Sequence, residues 1–341
     1  GYIGGCVLTK LFLNRKTNDE NVTVLVRSAE KAEKLRKYGV VPVIGEFGNA
    51  ELVERLASES DMVINVADSW DVNWTRDILR GLKKRYERTS MKPVLIHTSG
   101  AGVFIDDTKG LTLSEIIYDD MDVEQIASIP PEAPHRAVDL VVADADEEGY
   151  CQTYILVPGI VWGEAKTKLV KDGIQNPHTI PIPLITNMML TIGQAAVIGK
   201  GVPRWCHVEV NEPADSPVLD TTTTDPVGHG RNGYFFGENG EFSWMELALE
   251  MGQILHSMDP SRPPTVRSYT QEEEEKYRYP YGYLWGTNAR CVGNRSRALG
   301  WKPVLGTKEF LESVKDAAER WMKDEKIVAE YGANWQVTRN L

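Results

Sequence analysis

The chain of 341 residues carries 38 Lys and Arg against 49 Asp and Glu, a formal net charge of −11. So acidic a chain, with no basic block, is a poor nucleic-acid binder. Its 42% hydrophobic and 26% charged residues exclude a disordered chain and fit a sizeable globular core.

Cys6, Cys151, Cys206 and Cys291 lie far apart, without C-x-x-C spacing. That argues against a disulfide framework and a thiolate zinc site. It fits a reducing, cytoplasmic setting. The first residues show no secretory-signal pattern. Residues 173–199 contain no Asp, Glu, Lys or Arg. The prolines, Asn187, Gln194 and His178 within them break the apolar run that a membrane span needs. A buried or pocket-lining segment is expected there, and no membrane partner.

The first half alternates between two patterns. Residues 22–27 (VTVLVR) form a short β-branched run, as a buried parallel strand requires. Residues 28–38 are polar and helix-favouring, with Ser28 as N-cap. Residues 40–44 read as a strand and 50–58 as a helix with Leu52, Val53 and Leu56 on one face. Residues 61–67 are strand-like, and a helical pattern follows to about Arg88. Residues 93–98 (PVLIHT) and 153–157 read as strands, with a helix at 135–149 between them. Such alternation predicts an α/β fold with a Rossmann-type doubly wound parallel sheet.

The second half is richer in Pro and Gly from Pro177 to Pro226. The Thr221-Thr222-Thr223-Thr224 run reads as a loop. Trp244–Met258 and Thr307–Lys323 read as amphipathic helices, and residues 271–275 as an acidic helix start. The division expected is a cofactor-binding domain over 1–163. A smaller α/β lobe for substrate follows over 164–341, parts of which return to the sheet.

The chain opens Gly1-Tyr2-Ile3-Gly4-Gly5, a loop of the kind that lets backbone approach a pyrophosphate ahead of a helix N-terminus. The strand that should precede such a loop is not in the sequence, so further residues are expected upstream. Asn65-Val66-Ala67, His97-Thr98-Ser99-Gly100 and Val157-Pro158-Gly159-Ile160-Val161-Trp162-Gly163 close the later strands. Trp205-Cys206-His207-Val208 and Leu299-Gly300-Trp301-Lys302-Pro303 follow. With these motifs in this order, the chain resembles an extended short-chain dehydrogenase/reductase of the NAD(P)-dependent epimerase/dehydratase-like kind. The resemblance spans nearly the whole chain. It implies a nicotinamide cofactor held by Gly1, Tyr2, Ile3, Gly4, Val66, Ala67, Thr98, Pro158 and Ile160. It also implies a homodimer built on the helices at 69–88 and 135–149.

At the end of the second strand of such a fold, an acid selects NAD(H) and an arginine accommodates the extra phosphate of NADP(H). Here Arg27-Ser28 stands there, so NADP(H) is favoured over NAD(H), unless Arg27 is only a solvated strand-end residue. Phe47 falls where adenine contacts are implied, or is core.

The family's Tyr-x-x-x-Lys pair is absent: none of the thirteen tyrosines has Lys four residues later. His135-Arg136-Ala137-Val138-Asp139 takes its place by register. The usual Ser falls on Gly100, with Ser99 one residue before. Three readings stay open. In one, His135 is the acid/base of an oxidoreductase acting on a small carbonyl or alcohol, and Asp139, one turn on, fixes its tautomer and raises its pKa. In another, the chain binds NADP(H) as a redox-sensing regulator without turnover. In the third, the substrate or another residue supplies the acid of an unusual reduction or isomerisation; a nucleotide-sugar epimerase or dehydratase is the further alternative. The plain alternative sets His135 at the surface of a helix start and Asp139 in solvent.

Trp162, Ile185, Met188, Met189, Trp205 and Trp285 are candidates to line an apolar substrate pocket, or are core. Arg204 and Arg290 are candidates for a diphosphate. His207 faces substrate or is core; His178 and His229 have no partner at metal-ligand spacing, and no metal site is expected. The aromatic run Tyr277-Arg278-Tyr279-Pro280-Tyr281-Gly282-Tyr283 caps the pocket or packs as a loop.

Overall fold

The structure, a computed structural model, describes residues 1–13, 21–179, 181–212, 228–277 and 282–323. The threonine run at 221–224 and residues 278–281 of the aromatic run lie outside the described residues.

The first half follows its hydrophobic pattern. α1 (Tyr2–Leu13) leads to β1 (Thr23–Val26), α2 (Ala29–Arg36), β2 (Val41–Ile44), α3 (Ala50–Ser58), β3 (Met62–Asn65), α4 (Val72–Thr89) and β4 (Val94–Thr98). Then come β5 (Tyr118–Asp119), α5 (Val123–Ala127), α6 (Arg136–Glu147) and β6 (Gln152–Pro158). Side-chain caps start α2, α3 and α4. Ser28 accepts from Lys31 N, Asn49 from Leu52 N, and Asp71 from Asn73 N and Trp74 N. Each such cap stabilises its helix by about 1 kcal/mol.

β1 and β2 pair in parallel, with Val24 opposite Pro42. β3, β4 and β6 also run parallel, with Ile64 opposite Ile96 and Ile96 opposite Tyr154. Among the described residues β1 and β3 share no pairing, so the sheet stands in two pieces. Successive side chains point to opposite faces. Leu95, Ile155 and Val157 join Val138 and Val142 of α6 in the main core, while Ile96, Tyr154 and Leu156 meet Ile3, Val7 and Leu11 of α1. The larger sheet piece is thus covered on both faces, as a parallel sheet must be.

The chain continues through β7 (Ile160–Trp162), α7 (Lys168–Lys171), α8 (Pro181–Ile192), β8 (Ala196–Val197), β9 (Arg204–Glu209) and β10 (Tyr234–Gly237). It ends with β11 (Glu241–Ser243), α9 (Trp244–Met258), β12 (Arg267–Ser268), α10 (Gln271–Tyr277), β13 (Cys291–Val292), α11 (Asn294–Ala298) and α12 (Thr307–Lys323). β10 returns to the main sheet, parallel to β6, with Phe236 opposite Val157. β9 pairs with β7 in parallel and with β11 antiparallel.

α8 is a helix that the proline content of 173–199 hides. Pro181 and Pro183 sit in its first turn, where a missing N–H costs nothing. Its Ile182, Leu184, Ile185, Met188 and Met189 are buried. Among the described residues, no helix is long and apolar enough to cross a membrane.

Candidate active site

The start of α1 is tied to the end of β7. Tyr2 donates its hydroxyl to Gly163 O at 2.8 Å, and the Tyr2 carbonyl accepts from Gln175 Nε2 at 2.7 Å. Gly4 permits a close approach: a β-carbon there would lie 3.0 Å from Val66 Cγ2. The first-turn N–H groups of a helix lack intrahelical partners. Lys31 and Arg27 lie close enough to Gly1 to act on it electrostatically. Unpaired N–H groups and nearby cations suit a phosphate.

Arg27 is exposed, and its guanidinium carbon lies 5.5 Å from the centre of the Phe47 ring. Phe47 is half-buried and meets Trp74 edge-on at 5.1 Å. Ser28 Oγ is engaged as the cap of α2. These residues fit a nucleotide: a flat aromatic face, an exposed guanidinium and a helix start share one corner. Val66 packs against α1 and the Ala67 N–H donates to Asn65 Oδ1 at 3.3 Å. Ile160 is buried in the main core. Ile3, Val7, Thr98, Leu156, Pro158 and Trp301 line an apolar cleft on the α1 side of the sheet. Thr98 Oγ1 is buried there without a partner among the described residues.

The other face holds the ionisable groups. His135 is the N-cap of α6, in the left-handed region at φ 64°. A non-glycine residue held there is strained, and such strain concentrates at functional sites. Its ring packs on Trp70, with centres 4.0 Å apart, and its Nδ1 lies 3.3 Å from Ser69 O. A carbonyl only accepts, so Nδ1 carries the hydrogen and Nε2 the lone pair. Nε2 points at the β4 exit: β-carbons added to Gly100 and Gly102 would lie 2.9 and 3.3 Å from it. Burial holds the His135 pKa down at about 4, against the upward pull of the Ser69 carbonyl and Asp68.

The expected pairing of His135 with Asp139 is not formed. Among the described residues, only the backbone bond from Asp139 N to His135 O at 3.1 Å joins them, no side-chain hydrogen bond or ion pair does, and the His135 pKa falls rather than rises. The reason is conformational. His135 stands outside the helix, so the i, i+4 proximity of helical residues does not apply to it. Asp139 is inside, wholly buried, and accepts from Ser99 Oγ at 3.0 Å. Burial pushes its pKa up to about 7, opposed by the Ser99 hydroxyl and Arg136. Neither is it the solvated carboxylate of the plain alternative.

Facing Asp139 is a residue whose side chain the motif reading did not weigh. His97 is wholly buried, and its Nε2 lies 4.0 Å from Asp139 Oδ1. Its Nδ1 meets Asn65 Nδ2 at 3.1 Å. Burial, with the charge of His135, holds the His97 pKa at about 3. A histidine inside the apolar run VLIHT was the available signal.

The back-half candidates are placed differently. Trp162, Ile185, Met188, Met189, Trp205 and Trp285 are buried in the main core. Arg204 faces Glu246 at 3.6 Å, and Arg290 is paired with Glu241. His207 accepts from Trp162 Nε1 at 3.0 Å, contacts Thr307 Oγ1 and stacks on Phe310. His229 is paired with Asp146, and His178 with Arg320.

No protein-family model matches the chain. The oxidase ucsJ of an Acremonium species is 28% identical over 325 residues, covering 89% of this chain and 90% of that protein. UDP-glucose 4-epimerase of Thermotoga maritima, solved with UDP-glucose, superposes with a TM-score of 0.61 at 16% identity, over 95% of this chain and 96% of that one. The dTDP-glucose 4,6-dehydratase DesIV of Streptomyces venezuelae, a double mutant solved with NAD bound, gives 0.60 at 17%, over 96% and 95%. The chain shares the Rossmann-type α/β fold of this epimerase and this dehydratase. In this fold the carboxyl ends of β4 and β6 and the start of α6 meet at one edge of the sheet, where α/β proteins place their ligands. Here that edge carries His135, Ser99 and Gly100. Among the described residues, no cluster of His, Cys, Asp and Glu could hold a metal ion.

Proposed function

We propose that this chain is an NADP(H)-dependent oxidoreductase acting on the alcohol or carbonyl of a small organic molecule, with His135 as the acid/base. In this reading residues 1–163 hold the cofactor and residues 164–341 mainly the substrate. The observation that carries it is the aim of His135 Nε2. The ring is fixed by Trp70 and the Ser69 carbonyl, and its lone pair faces the end of β4 across Gly100.

The start of α1, with Arg27, Phe47, Val66 and Ala67, would hold the dinucleotide, and Arg27 its extra phosphate. A nicotinamide held there would supply the hydride chemistry at the substrate carbon. The chain's own task is then the proton on the substrate oxygen. A neutral His135 takes that proton at Nε2 when an alcohol is oxidised and returns it in reduction. Its low pKa leaves it neutral at pH 7, which favours the oxidising direction. The likeness to an oxidase agrees with that direction.

The test begins with binding. The protein is titrated with NADPH and NADH by tryptophan fluorescence, then a panel of alcohols and carbonyls is followed by NADPH absorbance. Preference for NADPH, with turnover that His135→Ala abolishes, supports the reading. Binding without any turnover would make the chain a regulator, and binding of neither cofactor would remove the redox reading altogether.

A further inference from the structure

The side chain of Asn65 has its two ends assigned by its neighbours. Oδ1 accepts from Trp74 Nε1 at 3.2 Å and from Ala67 N at 3.3 Å. Nδ2 therefore is the end that meets Asp68 O and His97 Nδ1. An amide nitrogen only donates, so His97 Nδ1 accepts. A neutral imidazole with that nitrogen occupied as acceptor carries its hydrogen on Nε2. Nε2 is buried and has no hydrogen-bond partner among the described residues, and the same holds for Asp139 Oδ1 opposite it. A donor thus faces an acceptor across 4.0 Å. The gap is too wide for a direct hydrogen bond.

The consequence lies on the other carboxylate oxygen. With Oδ1 turned toward an N–H, a proton taken up by Asp139 goes to Oδ2, and Oδ2 is the atom bonded to Ser99 Oγ. When Asp139 is ionised, the Ser99 hydroxyl donates to it. When Asp139 is protonated, its own O–H donates to Ser99, and the Ser99 hydrogen is released to another acceptor. No bond between heavy atoms changes; one proton arrives and one hydroxyl turns.

Building on the oxidoreductase reading, we propose that Asp139, held between the His97 Nε2–H and Ser99, is a proton-holding positioning residue that sets the direction of the Ser99 hydroxyl beside the reacting centre. The surrounding charges are few. Arg136, on the same helix, is 2% exposed and spends NH1 on the Tyr234 hydroxyl of β10 and NH2 on Ile126 O. Tyr234 also feels Asp139 electrostatically. His135 acts on His97, and Asp68 acts on His135. Arg136 favours ionised Asp139, whereas burial opposes ionisation.

The test uses the full chain in two measurements. Side-chain nitrogen spectra read the His97 tautomer, and the carboxyl carbon shift of Asp139 is followed against pH. The expected results are Nε2–H on His97 and a midpoint well above the ordinary Asp value of about 3.9. In His97→Phe the midpoint moves up by about one unit or more, since the ionised form loses its donor. An Nδ1–H tautomer, or an ordinary midpoint, overturns the proposal. The second measurement is the pH profile of kcat/KM. Asp139→Asn presents a permanent donor to Ser99. It is expected to remove the Asp139 ionisation while retaining turnover, whereas Asp139→Ala loses turnover. An Asp139→Asn profile identical to wild type overturns the positioning role. The spectra need no turnover. A displaced midpoint in a protein that turns nothing over would sink the oxidoreductase reading and leave the pair standing.

Discussion

His135 Nε2 occupies the space that any side chain at Gly100 would need. A β-carbon there would sit 2.9 Å from Nε2 and 3.4 Å from both Cδ2 and Cε1. Gly100 is extended at φ −164°, so its backbone tolerates any residue and the contact alone excludes one. The family resemblance puts a serine hydroxyl at this position. Here the imidazole fills it.

Gly100→Ser is therefore expected to displace the ring from Trp70. Overpacking of this kind costs about 1–3 kcal/mol. Denaturant unfolding should show that loss, and the fluorescence of the exposed Trp70 should change with it. A variant as stable as wild type, with an unchanged spectrum, would mean that the ring has room to move.

Arg27→Ala should weaken NADPH while leaving NADH almost unaltered. A hydrogen bond to a charged group contributes about 1.5–3 kcal/mol, or roughly 10- to 150-fold in affinity. Equal losses for both cofactors would assign Arg27 to the adenine side, where it already lies over Phe47.

The His135 pKa of about 4 has a direction-dependent signature. Alcohol oxidation needs neutral imidazole, so kcat/KM should rise through that pH and lose its dependence on this group above it. Carbonyl reduction needs the imidazolium, so its rate should fall with rising pH across the neutral range. His135→Gln should cost about 10²- to 10⁴-fold in either direction. A reduction rate that is flat with pH would point to a different proton donor.

Stability should expose the buried pair. Asp139 has a folded pKa of about 7, above its unfolded value, so its contribution is full at low pH and is lost as pH rises through 7. His97 has a folded pKa of about 3, below its unfolded value of about 6.5. Its contribution is full above that value and is lost as pH falls toward 3. In the wild type the two slopes oppose each other between about pH 4 and 6.5. Relative to wild type, Asp139→Asn should lose more stability on acidification and His97→Gln less, since the other buried groups are common to all three proteins. Thermal unfolding over this range reads both, and parallel profiles for the two variants would refute the assignment.

Local patterning was enough to place most of the α/β elements. The runs VTVLV, DMVIN and PVLIHT became β1, β3 and β4, and Trp244–Met258 and Thr307–Lys323 became helices with the bounds expected. Such elements are legible because burial on one face of a helix, or on both faces of a strand, repeats with the period of the element itself. α8 escaped because prolines in a first turn look like prolines in a loop. The site was less legible. Its residue types were visible in the chain, but His135 and Asp139 were joined by helical spacing, and the positive φ of His135 broke that spacing. The partner of Asp139 is Ser99, from another element, and its neighbour His97 comes from β4. Contacts between side chains on different elements carry no period along the sequence. Only the packing of α6 onto the sheet, which buries Asp139 and turns His135 toward Gly100, decided which acid faced which base.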